Sequence, residues 1–230
     1  MLTLAIDTST KTGGAAVVDD NHVLGEYVLD IERKTHSERV IPAIDNVLKG
    51  IGISMKDIGA VAVAYGPGSF TGLRIGLATA KALSLSLDIP VYKVDTLEAL
   101  ASQLSYVDGL ILPLFNARRG EIYGAIWQSN TETLSCLKPS IAESLEEFLE
   151  SVPQEQKLFF LGEGAVTAQE QIQNKFPEAI VVKGTNSYLH PASVAFSALK
   201  YAPVDVDLLV PNYLRKSEAE IKRDNKISDK

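Results

Sequence analysis

The feature that most constrains this 230-residue chain is an order of segments that occurs twice. A short apolar run, LTLAID (2–7), ends at Asp7 and a Thr8-Ser9-Thr10 turn. GGAAVVD (13–19) and HVLGEYVLDI (22–31) follow, parted by Asp20-Asn21. Runs of this kind bounded by turn residues read as strands, and three in succession as a meander. SERVIPAIDNVLKG (37–50) then sets Val40, Ile41, Ile44, Val47 and Leu48 at helical spacing behind a Ser37 cap, with Pro42 expected to kink or delay the helix. GAVAVAY (59–65) is a buried strand broken by Gly66-Pro67-Gly68. A helix over 69–87, a strand over 90–94 and a helix over 96–104 complete the first set.

After the 106–109 turn the order starts again. LILPLFN (110–116), EIYGAIW (121–127) and TETLSCL (131–137) read as strands, with a helix over 143–152, a strand over 157–162, a helix over 163–175 and a strand over 179–182. Asn116 ends the opening strand of the second set, where Asp7 ends that of the first. A β-β-β-α-β-α order repeated with a polar turn after its first strand is the layout of the actin-like, sugar-kinase-like ATPases. In those proteins the two turns face each other across a cleft and hold nucleotide phosphates. The expected fold is therefore α/β, two-lobed, with a mixed five-stranded sheet in each lobe and a degenerate cleft. Periodicity alone leaves two ordinary α/β lobes as the alternative. The lobes are expected at 1–105 and 106–190. A helix over 191–202 and a tail to 216 should pack back on them, and 217–230 should be disordered.

Charge excludes more than it selects. With 22 basic and 29 acidic side chains the chain carries −7, which argues against autonomous nucleic-acid binding through phosphate neutralisation. The last sixteen residues hold six basic and four acidic side chains, a slight positive bias read as a solvated terminus. One cysteine, Cys136, excludes an internal disulfide or a multi-cysteine zinc site and reads as buried. The three histidines, His22, His36 and His190, form no metal-binding spacing, and His22 and His190 read as surface residues. No run approaches a membrane span and the start lacks a secretory pattern, so the expected location is cytoplasmic.

The densest segment is GPGSFTGLRIG (66–76). It matches neither G-x-x-x-x-G-K-[ST] nor G-x-G-x-x-G, since Thr71 and Leu73 stand where a lysine or glycine is needed. What remains is a strand, a turn and a helix N-terminus with Ser69 as cap, able to hold an anion or simply capped. Two readings stay open for Asp7, Thr8 and Ser9 as well: a phosphate or magnesium-water site, or a capped turn. Arg118 and Arg119 occupy the second turn, where a nucleotide site wants glycines; they can pair with acids across a subunit contact or stay solvated. The 69–87 helix carries only two charges, Arg74 and Lys81, and is apolar nearly all round. Gly72, Gly76 and Ala80 form a smooth strip, which is expected to face a partner helix. On that expectation Gly76→Glu breaks association and leaves a folded monomer.

AIDTST, HSERVIP, GPGSFTGLRIG, NARRGEIY and PNYLRKSEAE together resemble the TsaB (YeaZ) family, from 1 to about 220. Asn116 departs from the family's usual Asp. The resemblance implies a subunit of the bacterial machinery that makes threonylcarbamoyladenosine beside the tRNA anticodon. It implies that this subunit dimerises with the catalytic paralogue TsaD, or with a second copy of itself, and is joined by the ATPase TsaE. RNA is then met only through the complex, no membrane is involved, no cofactor is held by this subunit alone, and a shared interface is open to nucleotide. TsaD carries an H-x-x-x-H metal pair after its fifth strand, and Thr96 and Leu100 occupy those two places here, which implies lost catalysis. The implied interface is the 69–87 helix, with Phe70, Leu73 and Leu77 beside the small-residue strip, and the preceding helix through Val40 and Ile44. The competing class is an enzyme, a residual ATPase or a glycoprotease-like hydrolase.

Overall fold

The computed structural model describes residues 1–20, 22–30 and 36–216, without the side chains of 36–38. The expected disorder of 217–230 and the Ser37 cap lie outside the described residues and side chains. The first sheet is built from β1 (Thr3–Asp7), β2 (Thr12–Val18), β3 (Val23–Asp30), β4 (Ala60–Gly66) and β5 (Val91–Asp95), in the order β3-β2-β1-β4-β5. β1–β2 and β2–β3 pair antiparallel, β1–β4 and β4–β5 parallel. The second sheet repeats this position by position. β6 (Asp108–Arg118) pairs antiparallel with β7 (Glu121–Asn130), which pairs antiparallel with β8 (Leu134–Ser144). On its other side β6 pairs parallel with β9 (Leu158–Leu161), and β9 with β10 (Ile180–Val181). The duplicated mixed sheets expected from the segment order are thus present, and the sheet topology is that of the actin-like, sugar-kinase-like ATPases.

Helix placement follows from which faces are apolar. α1 (His36–Ile51) and α2 (Phe70–Leu87) cover one face of the first sheet, where Ile6, Val17 and Val63 point. On the second sheet α4 (Leu145–Glu150), α5 (Glu163–Thr167) and α6 (Gln169–Lys175) cover the corresponding face over Leu112, Ile126 and Phe160. The remaining faces meet across the lobes. α3 (Thr96–Ser102) leaves the first sheet and packs on β6 and β7, whereas α7 (Pro191–Ala198) returns from the second lobe onto β1 and β2. One buried cluster accordingly joins Ala5, Val94, Leu97 and Leu100 to Ile111, Phe115, Leu161 and Val194. Small Ala side chains on β1, β2 and β4 let the helices approach closely.

Several boundaries differ from the sequence expectation for local reasons. α1 begins at His36 and runs through Pro42, so proline neither delays nor ends it. β8 begins at Leu134 because Asn130 Oδ1 accepts the Glu132 and Thr133 N–H groups (3.2 and 2.8 Å) and turns the chain first. The single helix expected over 163–175 is two, parted at Ala168. α7 stops at Ala198, four residues short of the expectation.

Candidate functional site

The turn after β1 is where a nucleotide phosphate would be met, and here it is enclosed. Asp7, Thr8 and Ser9 are at most 2 % exposed. Thr8 Oγ1 donates to the Gly72 carbonyl of α2 (2.7 Å), and the Ser9 carbonyl accepts the Ser69 N–H (2.7 Å). A Cβ on Gly68 would overlap that Ser9 carbonyl, so only glycine lets the 66–69 loop close over the turn. Asp7 Oδ1 accepts the Ser9 N–H at 2.9 Å, the bond of a capped turn. The α2 N-terminus is likewise occupied, Ser69 Oγ accepting the Gly72 N–H at 3.2 Å. Both places thus make capping bonds, while Asp7 Oδ2 is buried without a hydrogen-bond partner.

Burial pushes the Asp7 carboxyl up to about 6, against hydrogen bonds from Ser9 and Thr8 that pull it down. Asp95 is pushed to about 6 by burial too, although its Oδ1 caps α3 through the Leu97 and Glu98 N–H groups and accepts from Ser140 Oγ (2.8 Å) across the lobes. Both folded values lie above the unfolded 3.8, so the native state binds extra protons between about pH 4 and 6. Stability therefore falls as pH rises through 6, by roughly 3 kcal/mol for each carboxyl at ~1.4 kcal/mol per pKa unit. The melting temperature is expected to be higher at pH 5 than at pH 7.5, with Asp7→Asn reducing that difference. An unchanged slope in Asp7→Asn would remove Asp7 from the account.

At the start of α3, Thr96 and Leu100 are both wholly buried. Leu100 reaches the second lobe, its Cδ2 within 3.2 Å of where a Cβ on Gly162 would lie. The place that the resemblance assigns to a metal pair is thus filled by interlobe packing. Glu98 beside it accepts the Tyr201 hydroxyl on both oxygens (2.7 and 2.8 Å), and burial and these carboxylates hold the Tyr201 phenol far above its usual range. Among the described residues no group of three or more His, Cys, Asp or Glu side chains could hold a metal ion. What remains of the interlobe cleft is a cavity of about 310 Å³ lined by Thr10–Thr12, Phe115, Glu163, Ser187 and Tyr188, among others.

The second turn is tied down by the C-terminal segment. Arg118, Arg119 and Gly120 are all left-handed (φ 67°, 54° and 81°), and Asn116 Oδ1 accepts the Arg118 N–H at 2.7 Å. Arg215 donates to the carbonyls of Ala117 and Arg118 and pairs with Glu121 (2.7 Å). Three residues earlier Asn212 N–H donates to the Tyr65 carbonyl (2.8 Å), and Tyr213 stacks on Phe70 at 4.5 Å while accepting from Arg74 Nε at 2.7 Å. Residues 212–215 therefore strap the base of α2 to the turn of the other lobe. In the sequence Arg215 stands out only as part of PNYLRKSEAE; its pairing with Glu121 spans 94 positions, beyond any local signal.

The outer helices overturn part of the expected interface. Gly72, Leu73, Gly76, Leu77 and Ala80 are buried inside this chain against β1 and β4, and Val40 and Ile44 of α1 are only 3 % and 2 % exposed. The glycine strip exists for intramolecular packing: a Cβ on Gly76 would overlap Thr8 Oγ1 and lie 3.6 Å from Val63. The surface of α2 is the opposite side, with Arg74, Ala78, Ala82 and Leu85 exposed and Lys81 half-exposed. Leu85 is 70 % exposed and Ile41 of α1 is 55 % exposed. From the sequence set, Arg74 and Lys81 stay on this side, and Phe70 lies partly under Tyr213. Two further expectations are corrected. Cys136 is exposed, because β8 is an edge strand with one neighbour; its thiol is held above the usual range by burial and by Asp95 and Glu98. His190 is not a free surface residue but pairs with Glu26. No helix among the described residues is long and apolar enough to cross a membrane.

Duplicated sheets in this order, with helices exchanged between lobes, define an α/β protein of the actin-like, sugar-kinase-like class, and one in which the turn after β1 is buried. Residues 26–223 match the family model described as TsaD, tRNA N6-adenosine threonylcarbamoyltransferase. The chain is 36 % identical to the tRNA threonylcarbamoyladenosine biosynthesis protein TsaB of Bacillus subtilis, over 96 % of this chain and 97 % of that one. It is 35 % identical to Escherichia coli TsaB over 61 % of this chain and 64 % of that one. The structure of YeaZ from Pseudomonas aeruginosa superposes with a TM-score of 0.73 at 23 % identity, covering 93 % of this chain and 99 % of that one, which shows the shared fold. The chain belongs to the TsaB (YeaZ) family, whose members are named for tRNA threonylcarbamoyladenosine biosynthesis.

Proposed function

We propose that this chain is a non-catalytic subunit that dimerises with TsaD and activates threonylcarbamoyl transfer to the tRNA adenosine beside the anticodon. The observation that carries this reading is the outward side of α1 and α2. Ile41 and Leu85 stand largely in solvent, and Ala78 and Ala82, one turn apart, leave room for a facing helix. The buried Asp7 turn and the packed Thr96–Leu100 position support the absence of chemistry in this subunit. In this reading TsaE is the third protein, tRNA is held by the assembly and not by this acidic chain alone, any nucleotide sits at the interface with TsaD, and the location is cytoplasmic.

The test is reconstitution with purified TsaD, TsaE, ATP, a threonylcarbamoyl donor and unmodified tRNA, following formation of the modified base. Modification is expected only when this chain is present. The chain alone should turn over neither ATP nor a peptide substrate. Hydrolysis by the isolated chain that is lost in Asp7→Ala would replace the scaffold reading with the residual ATPase. A TsaD preparation equally active without this chain would end the activation claim.

A further inference from the structure

His190 lies where the chain crosses from the second lobe back to the first, and its ring has an acceptor at each nitrogen. Nδ1 is 2.8 Å from Glu26 Oε2 on β3, and Nε2 is 3.0 Å from the Thr185 carbonyl. A neutral imidazole has one N–H, which would leave a lone pair facing either a carboxylate or a carbonyl oxygen; only the imidazolium donates to both. Neighbouring contacts gather the same segment onto the first lobe. The other Glu26 oxygen accepts the Ala192 N–H (2.9 Å) at the start of α7. Gln103, the residue that follows α3, accepts the His190 N–H (2.8 Å) and donates to the Tyr188 carbonyl (3.1 Å). Tyr188 in turn stacks on the imidazole with centroids 4.7 Å apart.

We propose that His190 is a proton-dependent latch: as an imidazolium it pins residues 185–192 to the edge strand β3 and so holds shut one wall of the interlobe cleft. Ser187 and Tyr188 form that wall, opposite the β1–β2 turn. The charged group facing the ring is Glu26 from β3. Gln103, after α3, is uncharged, Tyr188 belongs to the latched segment itself, and Lys11 and Asp30 line the cleft beyond it, each engaged in contacts of its own. The hydrogen bond that the ring donates to Glu26 is the main influence holding the imidazole above its usual 6.5, ahead of partial burial, which opposes it. Folded His190 therefore keeps its proton at a pH where an unfolded histidine has lost it. The latch is closed below the raised value and opens as pH rises through it. This inference is independent of the partner reading.

The experiment is an NMR titration of the imidazole signals of the whole chain, with its three histidines, alongside amide hydrogen exchange over residues 185–192. The His190 ring is expected to titrate above 6.5 and to carry both protons below that midpoint. Glu26→Gln should lower its midpoint by about one unit or more. Exchange of the 185–192 amides should accelerate about tenfold beyond the intrinsic base-catalysed rise on passing that midpoint. A wild-type midpoint at or below 6.5 would overturn the proposal without any variant being needed. A raised midpoint with no matching change in exchange would leave a paired histidine that latches nothing, and would overturn it equally.

Discussion

Gly76→Glu is expected to yield no folded protein. The strip of Gly72, Gly76 and Ala80 is the side of α2 laid on β1 and β4, and the α-hydrogen of Gly76 is all that separates the helix from Thr8. A glutamate there would have to displace the turn that Thr8 and Ser9 anchor to Gly72 and Ser69. Its carboxylate would also be buried without a counter-charge, which costs several kcal/mol. Set against a total stability of about 5–15 kcal/mol, steric and charge costs together suffice to unfold the chain. Circular dichroism and solubility on expression are the measurements. A soluble, cooperatively melting Gly76→Glu protein would mean that α2 can rotate on the sheet, and would reopen the question of which side a partner sees.

Ala82→Glu, six residues along the same helix, is expected to do the reverse. Ala82 is exposed and points away from the sheet, so the free chain should melt within about a degree or two of wild type, surface changes being worth about ±0.5 kcal/mol. If a helix of TsaD lies on this side at the usual ~8–10 Å between axes, a glutamate at an alanine has neither space nor solvent. Each ~1.4 kcal/mol lost weakens association tenfold, so a loss of about a hundredfold needs only ~3 kcal/mol. Size-exclusion chromatography or calorimetry of the folded variant with TsaD reads this directly, with Leu85→Glu as the companion. Wild-type affinity in both would show that the partner sits elsewhere, and self-association lost without loss of TsaD binding would assign this side to a second copy.

The contrast between these two positions marks where the sequence ceases to be informative. Strand order was legible because apolar runs and their turn residues are local, and the second sheet repeats the first closely enough that each half supports the reading of the other. The facing of α2 was not, because that helix is apolar nearly all round. Small residues occur on both sides of it, Gly72–Gly76–Ala80 inward and Ala78–Ala82 outward, so composition points both ways. What decides is the docking of α2 on the Asp7–Ser9 turn, a contact between residues 64 positions apart. The identity of Thr96 and Leu100 could be read directly, yet their enclosure depends on the second lobe, through Gly162. The His190 partner, Glu26, lies 164 residues away and leaves no periodic trace. Local chemistry fixes elements; which surfaces survive to meet a partner is settled by their packing.

The strap formed by residues 212–215 has a consequence for biogenesis. Each sheet is contained in a continuous stretch of chain, but one face of the first is covered by α7, which follows both. The ties from Tyr213 to Phe70 and Arg74, and from Arg215 to the Ala117–Glu121 turn, need residues synthesised after both sheets. The α2 base and the distant turn thus acquire their fixed relation only after residues 212–215 have left the ribosome.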